Sequence, residues 1–300
     1  MSVRTIPVRE PFDLVHTLAP LGRGPGDRTL RLASGRAWRA TRTPDGPASM
    51  QIEHGDGQIR AQAWGPGADR ALDGVPALLG LDQEPPPFVD AHPTVAHLAR
   101  RFSGVRIPRT KAVLESLVPA ILEQKVIGDE ARRAWFELVW RYGEPAPGPE
   151  ELRLRVPPTP ATLAGLPYYA YHPLGVEQRR ADLIRRVASR ASWFEATVDL
   201  PLADAHARLT AVPGIGPWTA AEVAVRALGD VDAVSVGDFH LPNLVAFALA
   251  GEPRGTDARM LELLEPYRGH RARVVRWLEL SGIRPPRYGP RLSFRAIEGT

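Results

Sequence analysis

The sequence predicts an α+β protein: an N-terminal antiparallel β-sheet domain followed by a two-lobed, all-helical body. Two observations carry that prediction. From about residue 28 to residue 64, short alternating segments are separated by glycine turns. Beyond Pro85-Pro86-Pro87 the apolar residues fall instead at i, i+3 and i+4. With 300 residues, 44% of them hydrophobic and 24% charged, the chain can bury two or three modest cores.

The sheet elements come first. Residues 29–32, 37–41, 49–53 and 58–64 read as a meander of about four strands, with Ser34-Gly35, Asp45-Gly46 and Gly55-Asp56-Gly57 as the turns. A short helix near 68–80 and the proline linker close this domain at about residue 88. The helical body, residues 89–282, opens with Lys111–Val126, where Val113, Leu114, Leu117, Val118, Ile121 and Leu122 make a buried stripe. Asp129–Tyr142 repeats the pattern with Ala131, Trp135, Leu138 and Val139. Further helices are expected near 160–165, 176–191, 202–210, 217–228, 240–250, 257–264 and 270–281. Residues 283–300 read as a basic tail.

Composition excludes several chemistries. The chain has no cysteine, so disulfides, thiolate zinc sites and iron–sulfur clusters are ruled out. Nothing at the N-terminus resembles a signal peptide and no run approaches the roughly 20 apolar residues of a membrane span, so a soluble cytoplasmic protein is expected, without membrane partners. The formal charge of +4 is compatible with a polyanionic partner. Among 38 basic residues only Lys111 and Lys125 are lysines.

The most informative stretch is Val212-Pro213-Gly214-Ile215-Gly216-Pro217-Trp218-Thr219-Ala220, followed downstream by Gly237-Asp238. An apolar helix stops at a glycine hairpin and another resumes behind it, which exposes backbone N–H groups suited to a phosphate oxygen. Asp238 is a lone carboxylate before Phe239, His240 and Leu241, where it would cap the next helix. Together these residues closely resemble the glycine/proline-rich, aspartate-containing helix–hairpin–helix superfamily of DNA glycosylases (HhH-GPD), and most of all its bacterial 3-methyladenine DNA glycosylase II branch. Ala120-Ile121-Leu122-Glu123-Gln124-Lys125-Val126 looks like the branch's duplex-entering segment, and Glu265-Pro266-Tyr267-Arg268 with Trp277 like its C-terminal stretch.

The resemblance implies a glycosylase body with the hairpin at 202–228, acting on a damaged base in double-stranded DNA, as a monomer. It implies Asp238 as the catalytic residue, which would stabilise the developing sugar cation and orient water. It implies Trp218 and Trp277 as walls of the base pocket, although both positions also suit core aromatics. Gln124, Lys125, Gly214, Gly216 and Thr219 would meet the DNA. A monovalent cation, Na+ or K+, would sit on the backbone carbonyls of Thr210, Val212 and Gly214. Members that also cut the strand use a lysine just after the hairpin; here Pro217 and Trp218 stand there and no lysine follows Lys125, which implies a monofunctional hydrolase.

Two positions depart from the family pattern. Lys125 occupies the place of an apolar wedge, a role Gln124, Val126 or Ile127 could take instead. Glu222 occupies an aromatic pocket position; it reads either as part of a solvated stripe with Thr219 and Arg226 or as the pocket edge. Three functions follow: excision of alkylated purines, excision of neutral lesions such as hypoxanthine or ethenoadenine, and damage binding without catalysis.

Overall fold

The computed structural model describes residues 2–84, 87–89 and 91–286. Glycine turns and alternating residues form one five-stranded antiparallel sheet, ordered β1 (Ser2–Pro7), β5 (Gln58–Trp64), β4 (Gly46–Gly55), β3 (Arg36–Thr43), β2 (Leu30–Ala33). β1 is an addition to the four expected strands; it completes the edge by pairing Ser2 with Ala63 through Pro7 with Gln58. Along β5, Ile59, Ala61 and Ala63 are buried between more exposed Arg60 and Gln62, the period of a half-covered strand. That face packs on α1 (Leu14–Leu18), α2 (Ala68–Asp73) and α3 (Val75–Leu78), the latter two replacing the single helix expected near 68–80. The centre of the proline linker, Pro85-Pro86, and the tail from residue 287 lie outside the described residues.

Two further apolar cores lie in the helical body. The first gathers α5 (Val113–Leu122), α6 (Gly128–Tyr142), α7 (Pro160–Gly165), α8 (Tyr168–Tyr171), α9 (Gln178–Ser189), α10 (Ala191–Glu195), α11 (Leu202–Thr210) and α12 (Pro217–Val223) around Leu117, Ile121, Leu138, Ile184 and Phe194. The second gathers α4 (Pro93–Arg101), α13 (Leu241–Ala250), α14 (Asp257–Leu264) and α15 (Arg271–Leu280) around Val95, Val245, Met260 and Trp277. The chain passes from the first core to the second between α12 and α13, and Asp238 stands in that passage.

One carboxylate of the body gathers three donors from the sheet. Glu115 on α5 accepts from Arg39 Nη2 at 2.7 Å, from Thr41 Oγ1 at 2.7 Å and from the Arg42 amide at 2.7 Å, all on β3. The start of α5 is itself capped from elsewhere in the fold. Glu195 accepts the amides of Val113 and Leu114 at 2.8 and 2.9 Å, which supplies the acceptor Ala112 lacks.

Candidate active site

The hairpin is shaped by two buried anchors and one obligatory glycine. Val212 and Ile215 are buried, and the Ile215 amide donates to the Val212 carbonyl at 2.9 Å. Pro213, Gly214, Gly216 and Pro217 are exposed. Gly214 has φ +99°, and a Cβ there would come within 3.0 Å of Leu183. Gly216 differs: its φ is −88° and a Cβ would meet open space. α12 starts at Pro217 with no side-chain cap, so its first-turn amides have no side-chain acceptor.

Gln124 ties the hairpin to the segment after α5. Its Nε2 donates to the Gly214 carbonyl at 3.0 Å and to Thr219 Oγ1 at 2.9 Å. Gln124 is thus a brace, and Thr219, 2% exposed, holds it from inside instead of reaching outward. Lys125 is the exposed residue at the tip, with φ +56°. Of the three carbonyls expected to hold a cation, that of Val212 already accepts from Ile215 and that of Gly214 from Gln124. Each of these two oxygens has a second lone pair that this bond does not use.

Asp238 is both a cap and a fixed carboxylate. Its Oδ1 accepts the amides of His240 and Leu241, both at 2.8 Å, which starts α13. Its Oδ2 accepts the Trp218 indole N–H at 3.0 Å, so the second residue of α12 holds the carboxylate that begins α13. Three N–H donors from two sides fix its orientation. Gly237, at φ +93°, precedes it and donates its amide to Asp257 at 3.1 Å, which turns the chain at this point. Trp218 is half-buried.

Sequence reasoning passed over Phe239. It is 78% exposed next to Asp238, edge-on to His240 at 4.9 Å. The only signal was a large aromatic directly after the carboxylate, which also reads as an ordinary first-turn residue.

Two expected pocket residues are placed elsewhere. Trp277 is 3% exposed within the second helical core, edge-on to Phe88 at 5.3 Å and beneath the Arg273 guanidinium. Glu222 belongs to an internal ionic network: Arg226 Nη1 lies 2.5 Å from one carboxylate oxygen and Ser235 Oγ 2.6 Å from the other. The solvated stripe expected around it is absent, because Thr219 is buried and Arg226 turns to donate to the Pro20 carbonyl at 2.9 Å. Burial pushes the Glu222 carboxyl up, but Arg226, Ser235 and Arg23 together outweigh that and hold it below the usual carboxylate range. Arg226 and Ser235 thus engage both Glu222 oxygens, and the Trp277 ring is buried among core side chains. A cavity of about 440 Å³, lined by Arg109, Leu200, Leu202 and Leu228 among others, includes none of these residues.

Among the described residues, no group of three or more His, Asp or Glu could hold a metal ion, and no helix is long and apolar enough to cross a membrane.

No protein-family profile matches the chain. Over 168 residues, 55% of this chain, it is 32% identical to the probable bifunctional transcriptional activator/DNA repair enzyme AlkA of Mycobacterium tuberculosis. The match covers 34% of that relative, so the chain spans about a third of the length of the curated protein it matches. A solved 3-methyladenine DNA glycosylase from Archaeoglobus fulgidus aligns over 92% of this chain and 97% of its own, with TM-score 0.78 and 21% identity. The 8-oxoguanine glycosylase/lyase of Clostridium acetobutylicum, solved with double-stranded DNA, aligns over 93% of this chain and 96% of its own, with TM-score 0.68 and 13% identity. The chain therefore has the fold of the DNA glycosylases, and the resemblance of its sequence to the helix–hairpin–helix glycosylases of the 3-methyladenine type is borne out.

Proposed function

We propose that this chain is a monofunctional DNA glycosylase that flips an alkylated purine out of duplex DNA and removes it by hydrolysis. The observation that carries the proposal is Asp238, fixed by the Trp218 indole and two α13 amides where the chain crosses from one helical core to the other. We read those two cores as lobes flanking the flipped nucleotide.

Excision breaks the bond between the sugar C1′ and the purine nitrogen, and the electron pair leaves with the base. An alkylated purine is already cationic and departs neutral, so no strong general acid is needed. The sugar develops positive charge, which a carboxylate held by preset donors stabilises without reorganising. Water then adds to C1′ and loses its proton to Asp238 and on to solvent, leaving an abasic site and the free base. The Trp218 ring would face the cationic purine, an attraction of ~1–2 kcal/mol. Lys125 would enter the duplex at the site of the flipped base, and Gly214 and Gly216 would meet the backbone phosphates. A Na+ or K+ ion on the carbonyls of Thr210, Val212 and Gly214 would add positive charge at that phosphate contact. The reading also includes action as a monomer in the cytoplasm, on the nucleoid.

The test is base release from a duplex carrying methylated purines, comparing the native chain with Asp238→Asn. Release by the native chain, lost in the variant while binding persists, is the expected result. Release from hypoxanthine or ethenoadenine duplexes but not from methylated ones would redirect the substrate to neutral lesions. Binding with no release from any of them would leave a damage-recognition protein.

A further inference from the structure

Many of the described arginines are neutralised by carboxylates, as with Arg39 and Glu115 or Arg259 and Glu252. Three arginines beside the hairpin have no carboxylate within ion-pair distance among the described residues: Arg186, Arg190 and Arg208. They are joined through the hairpin and one aromatic ring. Arg186, near the end of α9, donates Nη2 to the Pro213 carbonyl at 3.1 Å, so its guanidinium lies against the turn. Arg190 follows one helical turn later and sets its guanidinium 4.4 Å from the centre of the Trp193 ring. Arg208, near the end of α11, lies 5.0 Å from the same ring and donates to the Trp193 carbonyl at 3.3 Å. Leu183 of α9 lies directly against Gly214, so α9 is seated on the turn.

A tryptophan flanked by two guanidiniums fixes flexible side chains at little entropic cost when a ligand arrives. Stacking uses the faces of a guanidinium and leaves its N–H edges free for an anion. The series Pro213, Arg186, Arg190, Trp193, Arg208 is thus a run of held but unneutralised cations leading away from the hairpin turn.

We propose that Arg190 and Arg208, set by Trp193 and continued to the turn by Arg186, form a phosphate track that binds the DNA backbone next to the phosphate at the hairpin. The ligand is a phosphodiester backbone, read without regard to base sequence or damage. The inference rests on the DNA-binding reading above and extends its contact surface.

The experiment measures affinity for an undamaged duplex by fluorescence anisotropy as salt is raised from about 50 to 200 mM, for the native chain, Arg190→Gln/Arg208→Gln, and the double lysine variant. Arg186 is left intact because its hydrogen bond to Pro213 would confound hairpin and phosphate effects. Each lost phosphate contact lowers the slope of log affinity against log salt by about 0.9, so the glutamine pair should flatten it by about 1.8. Over that fourfold range, the native chain should then lose roughly 12-fold more affinity than the variant. Lysines keep the charge and should restore most of the slope.

A native slope in the glutamine pair overturns the track while leaving the DNA-binding reading intact. An affinity loss that is the same at every salt, unrescued by lysine, also overturns it, since that is the signature of a disturbed Trp193. If the native chain does not bind duplex DNA at all, the glycosylase reading falls first and the track with it.

Discussion

Gly214 and Gly216 stand two residues apart and are glycine for different reasons. Gly214 is required by the fold: φ +99° and the Leu183 methyl leave no place for a side chain. Gly214→Ala should cost about 1–3 kcal/mol, read as a lowered Tm. Gly216 has an ordinary φ and free space, so Gly216→Ala should change stability by less than ~0.5 kcal/mol. Where a phosphate approaches that backbone, the same methyl should weaken duplex binding severalfold, so only the Gly216 variant separates binding from folding. Trp218→Phe tests the neighbouring device. It keeps an aromatic ring but removes one of three donors to Asp238, and a hydrogen bond to a charged group contributes ~1.5–3 kcal/mol. The excision rate should fall about tenfold or more, with duplex affinity nearly unchanged. The hairpin and Asp238 were legible in the sequence because turn chemistry and capping are local. The indole bond was not, because it joins residues 20 apart whose approach depends on the irregular chain between α12 and α13. Trp277 was ambiguous for a related reason: an amphipathic stripe marks a buried face without saying whether that face lines a core or a pocket.

Elements with strong local signals, such as α11 and α14, fall within the expected bounds, whereas β1 and α4 were not anticipated. The β1 segment Ser-Val-Arg-Thr-Ile-Pro is short and mostly exposed, and it stands at the edge by pairing with β5 along its whole length. The stretch expected as one helix over 217–228 is α12 followed by a π-turn, Ala224–Leu228, ending at Gly229 with φ +70°. That segment carries Arg226, one turn beyond Glu222, and the pair contributes to the acid stability of the region. The folded-state pKa of Glu222 is lowered despite its burial. Its contribution is therefore present above about pH 4.5, the ordinary glutamate value, and lost as pH falls through the lower folded value. Glu195 acts oppositely: burial raises its pKa, so it binds its proton sooner in the folded state and offsets part of the acid loss. Glu222→Gln should lower stability by ~3 kcal/mol near neutrality, since Arg226 loses its directly paired carboxylate while it stays beside Arg23, with only Glu123 and Glu279 to offset it. It should also flatten the decline of Tm from about pH 4.5 downward. An acid limb as steep as the native one would assign that limb to other carboxylates.

The sheet contributes none of the residues around Asp238, yet it is bonded to the helix that leads into the site. Glu115 takes three β3 donors on α5, and α5 runs directly into Glu123, Gln124 and Lys125. From there Glu123 pairs with Arg23 at 2.9 Å, and Gln124 braces the hairpin. The N-terminal domain thus holds both ends of α5, through Arg39 at its start and Arg23 just past its end. A helix clamped at both ends keeps the Gln124 amide in register with Gly214, so the sheet's role is to position the hairpin from a distance. Glu115→Ala tests this coupling. Arg39, with its side chain only 10% exposed, would be left buried without a counter-charge, a loss of about 3–5 kcal/mol. In the native chain, amides of β3, β4 and α5 should exchange with deuterium at similar opening free energies, as one cooperative unit. In the variant, the β3 and β4 amides should open at markedly lower free energy than those in the core of α5. Duplex affinity should fall with them, because Gln124 loses the clamp that sets it. Uniform loss of protection over the whole chain would instead make sheet and helices a single folding unit, with Glu115 one stabilising contact among many.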